Sequence, residues 1–231
     1  MRYLLSSCVI AFSTYSRIPM PQAEWNEKTM RHTLAFFPLV GAAVGAAFWG
    51  TDALCRLLEL GPVLRAALLA AVPAAVPGGI HLDGYCDTVD ALASHASRER
   101  KLEILKDSGA GAFAVIWCCV WFLLYFALLT ELESTATVAA CFLLSRSLSA
   151  WGIERLPSAR PVSGPQSGMG SELKRSSRLP WWMLGGYLAL WTGAVWLWGD
   201  LIPALAALAA AAAVYCLYRH LALKQFGGFT G

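Results

Sequence analysis

The chain reads as an all-α, polytopic membrane bundle of about six transmembrane helices preceded by an interfacial helix, and three observations predict that class. Hydrophobic residues fill 57% of the 231 positions and charged residues 14%, with a mean hydropathy of +0.53. A soluble domain carries roughly 25% charged residues, so water is the wrong solvent for most of this surface. Apolar runs of about 20 residues recur along the chain, the length a helix needs to cross a hydrocarbon layer ~30 Å thick. The basic residues gather in alternate loops, the charge pattern that orients membrane proteins.

The first 18 residues, MRYLLSSCVIAFSTYSRI, have signal-peptide length but lack a clean small-residue cleavage site and run into Pro19 and Pro21. They read as an uncleaved interfacial or half-inserted helix, with Trp25 just beyond at headgroup level. Spans are predicted at 34–58, 63–80, 111–130, 135–152, 181–199 and 201–218. The second is short and holds Pro73 and Pro77, so a kink is expected there. The fifth and sixth are divided by Asp200 and its neighbours. Arg17, Lys28 and Arg31, then Arg98, Arg100, Lys101 and Lys106, then Arg155, Arg160, Lys174, Arg175 and Arg178, and finally Arg219 and Lys224 fall on one side. That side is expected to be cytoplasmic, with both ends of the chain on it. Arg56 and Arg65, beside the first turn on the other side, are exceptions. The whole chain, 1–231, is read as one membrane-embedded domain. Seven cysteines without CxxC or Cys/His spacing read as reduced, buried thiols. A net charge of +3 with no continuous basic stripe argues against nucleic acid.

Between about 78 and 111 the apolar pattern breaks into PGGIHLDGYCDTVDALASHASRERKLEILKDSGAG. Asp83, Asp87 and Asp90 stand at i, i+4 and i+7, within about 60° of one helix face at 100° per residue. A single Asp near a helix end is ordinarily a cap or solvated surface. Three on one face beside membrane-grade sequence repel one another unless a cation lies among them, and ionisable groups there are expensive unless paired. A hard divalent ion with oxygen ligands, Mg²⁺ carrying a phosphate-bearing substrate, is the simplest neutralising partner. His81 precedes the cluster and is as well explained by a structural hydrogen bond as by chemistry. Lys101 and Arg100 read as orientation charges or solvated helix face, while Lys106 beside Asp107 has the better position. Ser108-Gly109-Ala110-Gly111 opens the third span, and a small-residue helix start leaves backbone N–H groups for an anion. Arg146 interrupts the fourth span, where an arginine normally faces a polar cavity or snorkels from a helix end.

The strings GGIHLDGYCDTVDAL and RERKLEILKDSGAGAFAV resemble the signature of the cobalamin synthases, the membrane-bound adenosylcobinamide-GDP ribazoletransferases. FSTYSRIPMP, TLAFFPLVGAAVGA, LLSRSLSAW, LPSARPVSGPQSGMGS and QFGGFTG extend the likeness along most of the chain. The resemblance implies a multi-pass enzyme of the bacterial inner membrane, its active segment facing the cytoplasm. It would join adenosylcobinamide-GDP to α-ribazole or α-ribazole 5′-phosphate with release of GMP. It also implies Asp83, Asp87 and Asp90 as Mg²⁺ ligands, one of them alternatively a base, with Asp107 a fourth ligand or a neighbour of the ligands. Lys106, Arg146 and Arg160 would meet diphosphate or leaving-group charge, Ser108 would bond phosphate, and His81 would orient an aspartate or take the nucleophile's proton. A homo-oligomer is compatible with all of this.

The family's usual Gly after the third aspartate is Ala91 here, and the residue after KDS is Gly109. Members continue past GGxTG with an Asp, small residues and another apolar helix, so the resemblance implies a chain cut short at Gly231. Two other readings stay open. CDP-alcohol phosphotransferases use a comparable aspartate cluster, but in a D-x-x-D-G-x-x-A-R pattern that is not met here. A cation or metabolite transporter would show a counterpart to the acidic segment in a second repeat, and there is none.

Overall fold

The computed structural model describes residues 2–107, 109–159, 174, 180–197 and 201–230. The chain divides into two compact units, Met1–Ala46 with Ala136–Gly231, and Ala47–Thr135. Its elements are α1 (Arg2–Tyr15), α2 (Glu27–Met30), α3 (Thr33–Leu57), α4 (Pro62–Ala75), α5 (Ile80–Ala93), α6 (Arg98–Ile104), α7 (Ala112–Thr130), α8 (Ala136–Arg155), α9 (Trp181–Leu197), α10 (Leu201–Leu221) and a π-helical turn, Ala222–Phe226. No named strand occurs among the described residues. Four helices, α3, α7, α8 and α10 with its π-helical turn, are long and apolar enough to cross a membrane, and α4 with α5 makes a fifth if the bent pair counts as one span. The fifth predicted span, 181–199, is described over the 17 residues of α9, about 25 Å at 1.5 Å per residue, and the sixth, 201–218, lies within α10.

In the first unit, α1 packs on α2. Asn26 caps α2 by accepting from the Lys28 and Thr29 N–H groups, and the Thr29 hydroxyl accepts from the Asn26 N–H at 3.0 Å, completing a reciprocal box. The buried Ser7 hydroxyl donates to the Thr29 carbonyl at 2.6 Å, fastening α1 to it. The N-terminal part of α3 is buried through Leu34, Phe37, Val40 and Val44. It meets α8 along a small-residue seam, G-A-A-V-G, the spacing that lets membrane helices approach closely. A Cβ on Gly41 would lie 2.3 Å from the Phe142 carbonyl oxygen, and one on Gly45 would lie 2.2 Å from that of Ala139. Backbone cannot yield as a side chain tip can, so Gly45→Ala is expected to cost about 1–3 kcal/mol, read as a lowered melting temperature in detergent. α8 then packs on α9 and α10 around Leu144, Trp191, Val195 and Ala204. The Tyr187 hydroxyl of α9 donates to the Ala35 carbonyl at 2.8 Å.

The end of the chain returns to the segment after α8. Phe229 N–H donates to the Pro157 carbonyl at 2.7 Å and Ala159 N–H to the Phe229 carbonyl at 2.8 Å. Two of the strings that carried the resemblance, LPSA and QFGGFT, are therefore neighbours in space.

In the second unit, α4 stops at Pro77-Gly78-Gly79 and the chain turns by 83° into α5. Gly78 and Gly79 take φ of 69° and 85°, left-handed values that cost a side chain energy and glycine almost none. Gly79 N–H closes the turn on the Ala74 carbonyl at 2.9 Å. Both α4 and α5 pack on α7.

At the far end of α4, Asp52 resolves the anomaly of Arg56 and Arg65. Its carboxylate is buried and accepts from Arg56 Nε at 2.9 Å, from Arg65 Nε, and from the Thr135 hydroxyl at 2.8 Å. The guanidinium groups reach on to the Glu133 carbonyl at 2.7 Å and the Leu132 carbonyl at 3.2 Å. The two arginines share one buried carboxylate, which offsets part of their charge.

Candidate active site on α5

The predicted acidic helix exists as α5, and its cause is local. Gly79 ends α4 in a left-handed conformation and serves as the residue before α5, whose first turn is closed by Asp83 N–H on the Gly79 carbonyl at 2.9 Å. One unbroken helix from Ile80 to Ala93 carries His81, Asp83, Asp87 and Asp90. Asp83 is exposed, while His81, Asp87 and Asp90 are partly buried. The 83° bend turns α5, with its carboxylates, away from the axis of α4.

The three aspartates part company in their contacts. Asp90 is spent on α7: one carboxylate oxygen accepts from the Gly111 N–H at 2.6 Å and the other from the Ala114 N–H at 2.9 Å. Two N–H groups of the small-residue helix start, expected to be left for a substrate anion, are thus satisfied by a carboxylate from 21 and 24 residues earlier. Asp107 is exposed and accepts from the Gly109 N–H at 3.2 Å in a local turn. Lys106 beside it is exposed. Ser108 and Arg160 lie outside the described residues.

Among the described residues no group of three or more His, Cys, Asp or Glu side chains stands together as a ready-made metal cage. The donor chemistry nevertheless fits Mg²⁺, which prefers hard oxygens and is usually held by one or two carboxylates plus substrate phosphates. Asp83 and Asp87, one turn apart on α5, offer such a pair.

α6 begins at Ser97, whose hydroxyl accepts from the Arg100 N–H at 3.4 Å. The Glu99 carboxyl is held below its ordinary range by a backbone N–H bond and by the Ser97 hydroxyl. Arg100 and Glu103 form an exposed ion pair at 2.8 Å. Lys101 departs from expectation: it is 8% exposed, not on a solvated face. Ile104 and Leu105 follow at i+3 and i+4, so the apolar face of this short helix could have been read as including it. Asp52 is the other residue the sequence reading did not single out. Its i, i+4 spacing to Arg56 was the available signal.

Arg146 belongs to the other unit and sits in the middle of α8. Gly41 leaves room for it, since a Cβ there would lie 2.8 Å from Arg146 Cγ. Its guanidinium lies 5.9 Å from the centre of the Phe37 ring and donates to the Ser145 hydroxyl at 3.2 Å, while its buried Nε has no partner among the described residues. Among the described residues no carboxylate pairs with it. An arginine in the middle of an apolar helix normally faces a polar cavity or an acidic partner.

Comparison with known proteins identifies the family. The family described as Cobalamin-5-phosphate synthase matches residues 7–231. An adenosylcobinamide-GDP ribazoletransferase of Lachnoclostridium phytofermentans is 40% identical over 231 residues, covering 98% of this chain and 86% of its own. The enzymes of that name from Desulfitobacterium hafniense and Geobacillus thermodenitrificans are 35% and 34% identical, covering 96% and 100% of this chain and 87% and 90% of theirs. No solved structure matches. With the family matched from residue 7 to the last residue and relatives aligned along almost the whole chain, this protein belongs to the cobalamin-5-phosphate synthase family.

Proposed function

We propose that this chain transfers the adenosylcobinamide phosphate group of adenosylcobinamide-GDP to α-ribazole 5′-phosphate or α-ribazole, releasing GMP. The observation that carries the reading is the presentation of Asp83 and Asp87 on a polar helix at the 83° bend of an otherwise apolar chain, within a chain of this family. A ribose hydroxyl of the ribazole attacks the phosphorus that bears cobinamide. The new P–O bond forms as the bond to the GMP oxygen breaks, and the hydroxyl proton leaves to a base. There is little covalent chemistry for the protein to perform, so rate comes from positioning and charge neutralisation.

Asp83 and Asp87 are the residues that would hold Mg²⁺, with Asp107 joining them or standing beside them. When bound, the ion supplies counter-charge to the diphosphate. His81, two residues before Asp83, takes the hydroxyl proton or orients an aspartate. Lys106, Arg146 and Arg160 meet phosphate charge and Ser108 adds a hydrogen bond. We place the protein in the bacterial inner membrane with α5 on the cytoplasmic side, on the strength of the basic loops that flank the spans.

Family membership disfavours the CDP-alcohol and transporter readings. The test is GMP release by detergent-purified protein. Chelation with EDTA is expected to abolish it and added Mg²⁺ to restore it. GMP release that persists through chelation would remove Mg²⁺ from the account.

A further inference from the structure

The geometry points to a division of labour among the three aspartates, resting on the transferase reading above: Asp90 is a positioning residue that ties α5 to the start of α7 and so aims Asp83 and Asp87. Two hydrogen bonds of 2.6 and 2.9 Å engage both of its oxygens with backbone N–H groups. A carboxylate accepting from the first turn of a helix also meets the positive end of that helix's dipole, so the contact is charge-assisted. Its partner position is built for it. A Cβ at residue 111 would lie 2.8 Å from each Asp90 oxygen and 3.0 Å from the carboxyl carbon, so only glycine lets the carboxylate come this close.

The consequence for the other two aspartates follows from helix geometry. At 100° per residue, Asp83 lies about 20° and Asp87 about 60° around α5 from Asp90. Fixing Asp90 against α7 therefore fixes the rotation of the helix and the direction of both remaining carboxylates. α5 follows the left-handed Gly78-Gly79 turn, where glycine's own preference is weak, and the Asp90 bonds add a directional contact to its packing on α7. Gly111 and Asp90 form one device with two parts, and damage to either part should have the same kinetic signature.

The experiment compares Gly111→Ala, Asp90→Asn, Asp90→Ala, Asp83→Asn and Asp87→Asn in detergent-purified full-length protein. GMP release is measured across Mg²⁺ concentration, and each variant's thermal melting is measured without substrate. Gly111→Ala and Asp90→Asn are expected to lower kcat by similar factors, about 10- to 100-fold, with the half-activating Mg²⁺ concentration within about twofold of wild type. Asp83→Asn and Asp87→Asn are expected to raise that concentration or leave no activity to titrate. Melting supplies a readout that needs no activity: the Asp90→Ala/Gly111→Ala double variant should melt no lower than the worse single variant, because both remove the same contact.

A tenfold or larger rise in half-activating Mg²⁺ for Asp90→Asn, with Gly111→Ala near wild type, would overturn the proposal and make Asp90 a ligand. Additive melting shifts would overturn it too, by showing no shared contact. If wild type released no GMP the transferase reading would fall, while the melting cycle would still decide whether the tether exists. If Gly111→Ala cannot be purified folded, the half-activating Mg²⁺ of Asp90→Asn decides by itself.

Discussion

Asp83→Asn and Asp87→Asn are each expected to lower GMP release by about 10²- to 10³-fold or more, the loss typical when a preorganised electrostatic group is removed from a phosphoryl-transfer site. Asparagine keeps the size and shape of aspartate and removes only the charge. Asp83 is exposed on α5, so its replacement should move stability by no more than about 0.5 kcal/mol. A protein that melts like wild type and turns over a hundredth as fast would locate the defect in chemistry. Chromatographic quantification of GMP beside a melting curve on the same preparation checks both halves. A loss of less than fivefold in both variants would contradict the assignment of this face as the site.

The second large effect concerns stability at the opposite end of α4. Asp52→Ala should destabilise the protein by about 3–5 kcal/mol, because it leaves a buried guanidinium without its counter-charge. The burial figures decide which arginine matters. The Arg65 side chain is 11% exposed and Asp52 6%, whereas Arg56 is 54% exposed. Arg65 is therefore the partner whose stranding is costly, and one of its terminal nitrogens is already buried without a hydrogen bond to any described residue. Arg56→Ala should cost about 1 kcal/mol or less, as exposed ion pairs do. Replacing both members, Asp52→Leu with Arg65→Met, should recover most of the loss, since well-packed apolar residues serve a buried site as well as an ion pair does. Thermal unfolding in one detergent across the four proteins tests the order. Equal losses for Asp52→Ala and Arg56→Ala would overturn it.

The parts of this protein that could be read from its sequence are those whose causes are local. Spans expected at 34–58, 111–130 and 135–152 correspond to Thr33–Leu57, Ala112–Thr130 and Ala136–Arg155, because run length alone specifies a membrane helix. Pro73 and Pro77 announced that the second span would not be straight. Its 83° turn depended on two consecutive left-handed glycines, whose conformation composition does not dictate. The aspartate helix was legible from its spacing, and the use of Asp90 was not. Its partners lie 21 and 24 residues on, across a turn and on another helix. Asp52 was legible only in part: Arg56 stands four residues on, but Thr135 lies 83 residues away from it. Gly41 and Gly45 stood in the sequence only as part of TLAFFPLVGAAVGA, and packing against α8 reveals which carbonyls they admit.

The transferase claim meets its most direct test when purified protein is incubated with adenosylcobinamide-GDP, α-ribazole 5′-phosphate and Mg²⁺, and both products are quantified by mass spectrometry. The account predicts GMP and adenosylcobalamin 5′-phosphate in equal amounts, with neither formed when the ribazole is left out. GMP without a cobalamin product would mean hydrolysis, and the absence of both from a folded, membrane-extracted protein would contradict the account.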